Sequence, residues 1–72
     1  FHMISVDLHG VKHKDVEDAV VNACAMHETP FIIITGKSES MKMLVALAAK
    51  SMGLFVRDTI DNPGRVIIHE SR

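Results

Sequence analysis

The chain has 72 residues, 47% apolar and 24% charged, with eight Lys/Arg, nine Asp/Glu and a formal net charge of −1. That length holds one small domain, near the lower size at which a single core is stable without staples, and the composition excludes a disordered or fibrous chain. The charge argues against a strongly basic nucleic-acid surface while leaving room for a local basic patch.

Phe1, Phe31 and Phe55 are the only aromatics of the Phe/Tyr/Trp class, so a base-stacking platform is not evident from composition. Cys24 stands alone, which rules out an internal disulfide and suits a reducing, cytoplasmic setting. No apolar run approaches the length a bilayer requires, so neither a membrane span nor a signal peptide is expected. Phe1-His2-Met3 reads as a cloning remnant, and residues 4–70 as the single domain.

The first element is a strand, because Ile4, Val6 and Leu8 alternate with Ser5 and Asp7. A period of two sends Asp7 and His9 to one side, and Gly10 then lets the chain turn sharply into a helix. A carboxylate beside an imidazole at a strand-to-helix junction suits general acid/base chemistry or phosphate contact. Local hydrogen bonds in a surface turn are the commoner outcome for a lone Asp-x-His.

From Lys12 to about His27, Val16, Ala19, Val20, Ala23 and His27 fall at helical spacing, with Lys14, Glu17, Asp18 and Asn22 towards solvent. Thr29-Pro30 closes this helix, since proline biases its predecessor away from helical geometry. Phe31 to Ile34 is apolar on both faces and rich in β-branched residues, the mark of an interior strand and the expected centre of the sheet.

Thr35-Gly36-Lys37-Ser38 follows as a loop. Ser38 or Ser40 then caps a second helix whose apolar stripe is Met41, Leu44, Val45, Ala48 and Met52, with Gly53 as its stop. Met41, Met43 and Met52 are read as core or partial core. Leu54 to Ile60 is the third strand, Asp61-Asn62-Pro63-Gly64 a turn, and Arg65 to His69 a fourth strand that pairs antiparallel with the third or inserts beside it.

The fold class is therefore α/β, a two-layer βαβαββ sandwich. Its four-stranded mixed sheet carries both helices on one face. If the first two strands are parallel neighbours, the Asp7–Gly10 and Thr35–Ser38 loops share their carboxyl edge, the usual place for ligands in α/β sheets.

Gly36-Lys37-Ser38 resembles the tail of a P-loop, but the position of its first glycine holds Phe31, so nucleotide hydrolysis is rejected. The backbone N–H groups around Gly36, the helix N-terminus and the Lys37 ammonium make either an anion site for a phosphodiester or a solvated capping loop. His13 and Lys14 add positive potential beside the first loop, and His27 is a helix-end residue. The five histidines are scattered, so no cofactor is evident and a bound metal is not expected, although a divalent ion is not excluded. Arg57 and Arg65 either extend an anion-binding surface or are solvated edge charges.

Taken together, Val6-Asp7-Leu8-His9-Gly10, a helix, Phe31-Ile32-Ile33-Ile34-Thr35-Gly36-Lys37-Ser38, a second helix and two strands resemble the Smr (small MutS-related) domain from about Ile4 to His69. The family's first signature is Leu-Asp-x-His-Gly. Val6 replaces its leucine, while Asp7, His9 and Gly10 match. The second is His-Gly-x-Gly or Thr-Gly-x-Gly. Thr35 and Gly36 are kept, and Ser38 stands where the second glycine is expected.

The resemblance implies a fold similar to the C-terminal domain of translation initiation factor 3. It also implies nucleic-acid binding, with nicking or endonuclease activity on DNA or RNA in several members and the Asp-x-His-Gly loop responsible for cleavage. Carried onto this chain, Asp7 and His9 are the candidate catalytic residues; with the charges and amides read beside the two loops, Gly10, His13, Lys14, Thr35, Gly36, Lys37 and Ser38 are the candidate nucleic-acid contacts. Three readings remain open: a nuclease, a nucleic-acid-binding module without catalysis, and a protein-interaction module that uses the open sheet face.

Overall fold

A computed structural model describes residues 3–59 and 64–70. The elements run β1 (Ser5–Asp7), α1 (His13–Met26), β2 (Phe31–Ile34), α2 (Glu39–Ser51), β3 (Phe55–Asp58) and β4 (Arg65–His69). The sheet order is β1-β2-β4-β3, with β1 parallel to β2 and β4 antiparallel to both β2 and β3. The last strand thus inserts between the second and third. From β1 to β2 to β3 the chain keeps moving across the sheet in one direction, so both connecting helices fall on one face.

One parity of each strand builds the core. Phe31, Ile33, Val66 and Ile68 are fully buried and pack with Val16, Val20 and Ala23 of α1 and Met41, Val45, Ala48 and Ala49 of α2. The opposite parity of β2, Ile32 and Ile34, is half-buried on the face away from the helices. Strand β2 is one of the two interior strands of the sheet, with β1 and β4 as its neighbours.

Helix α2 is bounded at both ends by local chemistry. The Met41 N–H donates to Ser38 Oγ at 3.1 Å, making Ser38 the N-cap. At the other end Gly53, at φ +79°, donates to the Lys50 carbonyl and Leu54 to the Ala49 carbonyl, both at 2.9 Å, which is a Schellman cap. In α1, by contrast, Lys12 occupies the N-cap position without a side-chain cap bond.

Several expectations are corrected. Met52 lies beyond the last helical residue and is 41% exposed, and Met43 is 65% exposed because it sits on the helix side away from Met41 and Val45. Cys24 is half-buried and packs against the core. Strand β3 is shorter than expected, ending at Asp58, while Ile60 and most of the Asp61–Gly64 turn lie outside the described residues. Asp58 points to the helix layer, 3.8 Å from Lys42, a pair that ties α2 to the outer strand.

Substituting one residue in each layer separates core from surface. Ile33→Ala should cost about 2–5 kcal/mol in a urea titration, by removing buried methylenes and leaving a cavity. Leu47→Ala, at a position 60% exposed, should stay within roughly 0.5 kcal/mol of wild type.

Candidate functional site

The first loop is built by three hydrogen bonds, two between backbone groups and one from the backbone to a side chain. Leu8 is buried, and its N–H donates to the Ile34 carbonyl at 2.9 Å, extending the β1–β2 pairing by one residue. Its carbonyl accepts from Val11 at 3.0 Å, closing a turn that Gly10 makes at φ +89°. The Asp7 carboxylate accepts the His9 backbone N–H at 2.9 Å, the side-chain turn that aspartate favours. Because β1 stops at Asp7, the turn places His9 where strand alternation was expected to do so.

The second loop is clamped to a distant residue. The Thr35 and Gly36 N–H groups both donate to the Gly64 carbonyl at 2.9 Å. The Thr35 hydroxyl donates to the Gly36 carbonyl at 2.8 Å, with the Gly64 carbonyl oxygen 3.3 Å away. Thr35 is 2% exposed, so its side chain is a brace and has no polar surface for a ligand. The Gly36 N–H, expected to face an anion, is likewise committed. Sequence reading marked Gly64 only as a turn residue, since nothing local signals a bond to a residue 29 positions earlier.

The two loops meet. A Cβ added at Gly36 would lie 3.1 Å from His9 Cδ2, so the imidazole rests directly over the glycine. Gly36 also has φ +72°, and the position therefore asks for glycine twice, for backbone conformation and for the His9 ring. Ser38, standing in place of a second glycine, has φ −85° and ψ 118°, an extended geometry that suits any L residue. Its hydroxyl is occupied as a cap.

Asp7, His9, Gly10, Lys37 and Ser38 are exposed, and so are His13 and Lys14 on the first turn of α1. The N–H groups of Lys37 and Ser38 take no partner among the described residues. They are the amides that remain for an anion, beside the Lys37 ammonium. The Asp7 carboxylate holds the His9 backbone and makes no bond to the His9 ring.

A groove of about 630 Å³ is bordered by His13, the α2 residues Glu39, Lys42 and Met43, and Val56 and Val66 of the sheet. Among the described residues no group of three His, Cys, Asp or Glu is placed to hold a metal ion, and no helix is long and apolar enough to cross a membrane. Comparison with protein-family models, curated proteins and solved structures finds no match.

Two outcomes check this geometry. Gly36→Ala should lose about 1–2 kcal/mol, the cost of a left-handed L residue, and shift the NMR signals of the His9 ring as it is pushed aside. Burial pushes the Cys24 thiol above its ordinary value. The folded state then holds a proton that the unfolded chain releases, so stability should be complete below the usual thiol range and decline as pH rises through it. Thermal melts across that range should show the decline in wild type and its absence in Cys24→Ser.

Proposed function

We propose that this chain is a nucleic-acid-binding domain of the Smr type whose Asp7–His9 and Gly36–Ser38 loops act together on one phosphodiester. The observation that carries the reading is the contact between loops: the His9 ring rests over Gly36, beside the loop that presents Lys37 and two amides with no partner among the described residues. An imidazole at that position can take a proton from an attacking oxygen or give one to a leaving oxygen. The Lys37 ammonium and the Lys37 and Ser38 N–H groups would hold the phosphate as charge builds on it.

Asp7 is then a positioning residue. By accepting the His9 N–H it fixes the backbone from which the ring projects. Its second oxygen has no partner among the described residues and lies at the end of the strand beside the site. A second reading, binding without cleavage, is favoured by one observation: the carboxylate engages the backbone, and the ring has no acidic partner among the described residues.

The test is a pair of substitutions assayed on labelled DNA and RNA. Lys37→Ala should weaken binding several-fold by removing one point charge, whereas His9→Ala should bind nearly as wild type and lose cleavage by about 10²–10⁴-fold. Cleavage undiminished in purified His9→Ala would overturn the catalytic assignment, and binding without cleavage in wild type would establish the second reading. For duplex binding at these loops, with Lys14 and Lys37 as the full charges, the slope of log K against log salt should be about −2, at roughly −0.9 per neutralised phosphate.

A further inference from the structure

Among the described residues nothing covers the face of the sheet away from the helices, and the residues on it follow from the register. One row across the strands is Ser5, Ile32, Ile67 and Arg57. The next row runs Asp7, Ile34 and Arg65, and at the other end His69 is paired with Phe55. Three isoleucines thus form a central apolar strip, with two arginines on the β3–β4 side and Asp7 on the β1 side.

The Phe55 and His69 rings stack at 6.0 Å between centroids and 27° between planes. The His69 ring is also held by its Nδ1, which donates to the Glu70 carbonyl at 2.7 Å. Phe55 is 47% exposed, so this fixed pair presents an aromatic surface to solvent.

We propose that this open face is the track for a single strand of RNA, stacking a base on the Phe55–His69 pair and leading its backbone past Arg57 and Arg65 towards Asp7 and His9. The direction of the track rests on the proposed phosphodiester site; the face itself does not. Charge favours this occupant. Arg57 and Arg65 have no acidic partner among the described residues, and Lys42–Asp58, the ion pair among them, lies on the helix side. The acids Asp15, Glu17 and Asp18 sit on α1, in the other layer. A chain with net charge −1 therefore presents two arginines and one aspartate on this face.

The two arginines are diagonal neighbours across antiparallel strands, about 7–8 Å apart at Cα. That spacing lets them meet successive phosphates of an extended strand. Aromatic stacking with flanking cations is how sheet surfaces take single strands, whose bases are free to splay, and a duplex offers no such bases. Asp7 and Ser5 point to ribose. A carboxylate next to a polyanion is repulsive unless it accepts a hydrogen bond, and in the sugar–phosphate backbone only the ribose 2′-hydroxyl donates one.

The test is fluorescence anisotropy with fluorescein-labelled oligouridylate, its 2′-deoxy counterpart and an RNA hairpin duplex, with probe integrity checked on a gel. The expected result is tightest binding to the single-stranded ribo-oligomer. Phe55→Leu should weaken it about tenfold, within the range that one lost stacking partner costs. The Arg57→Gln/Arg65→Gln double variant should make the salt slope shallower by about 1.4, at roughly 0.7 per single-strand phosphate. Amide NMR shifts at Ile32, Ile34, Arg57, Ile67 and His69 on adding the oligomer provide a second readout that needs no variant.

Binding that survives the Phe55 and arginine changes but fails in Lys37→Ala would overturn the track and leave the loop site standing. Absence of binding to every probe would overturn both. Preference for the duplex, or equal affinity for the deoxy strand, would overturn the assignment to single-stranded RNA. So would a concentration-dependent dimer in sedimentation that Phe55→Leu dissociates, since the face would then belong to a second copy.

Discussion

The parallel pairing of β1 with β2 is the constraint on which the candidate site depends. Asp7 stands opposite Ile34, and the Leu8 N–H adds one more bond to the Ile34 carbonyl, so the two chains leave the sheet side by side at the same edge. Leu8, buried, prevents the first loop from lifting away. Glycine at 36 then leaves open the volume that the His9 ring covers. Without this register, Asp7-x-His9-Gly10 and Thr35-Gly36 would be two unrelated turns.

The second support comes from the far end of the chain. The Gly64 carbonyl gathers the N–H groups of Thr35 and Gly36 just before β4 enters the sheet between β2 and β3. The insertion of β4 is therefore tied to the shape of the Thr35–Ser38 loop. This division of labour gives Thr35 and Ser38 structural duties, as a brace and a helix cap, and leaves Lys37 exposed between them. Ser38 stands at a position whose backbone does not need glycine, and its hydroxyl caps α2.

The distribution of charge matters more than its total. A net charge of −1 hides a sheet face with Arg57 and Arg65 on one side of an apolar strip and Asp7 on the other. Likewise, three aromatics seem too few for a stacking surface until cross-strand pairing places Phe55 against His69. Both facts arise because antiparallel register makes neighbours of residues distant in sequence.

The sequence by itself determined the elements, because period and punctuation are local. The all-apolar Phe31–Ile34 run, the Val16–Val20–Ala23 stripe, the Ser38 cap and the Gly53 stop each report a backbone preference within a few residues. The βαβαββ order and both helices on one face followed from them. Tertiary structure alone decided that β4 enters between β2 and β3, that Gly64 braces the Thr35 loop, that Asp7 binds the His9 backbone instead of its ring, and that Met43 and Met52 face outward. These depend on which surfaces meet once the chain is compact, and hydrogen bonds and burial of that kind leave no periodic trace along the sequence.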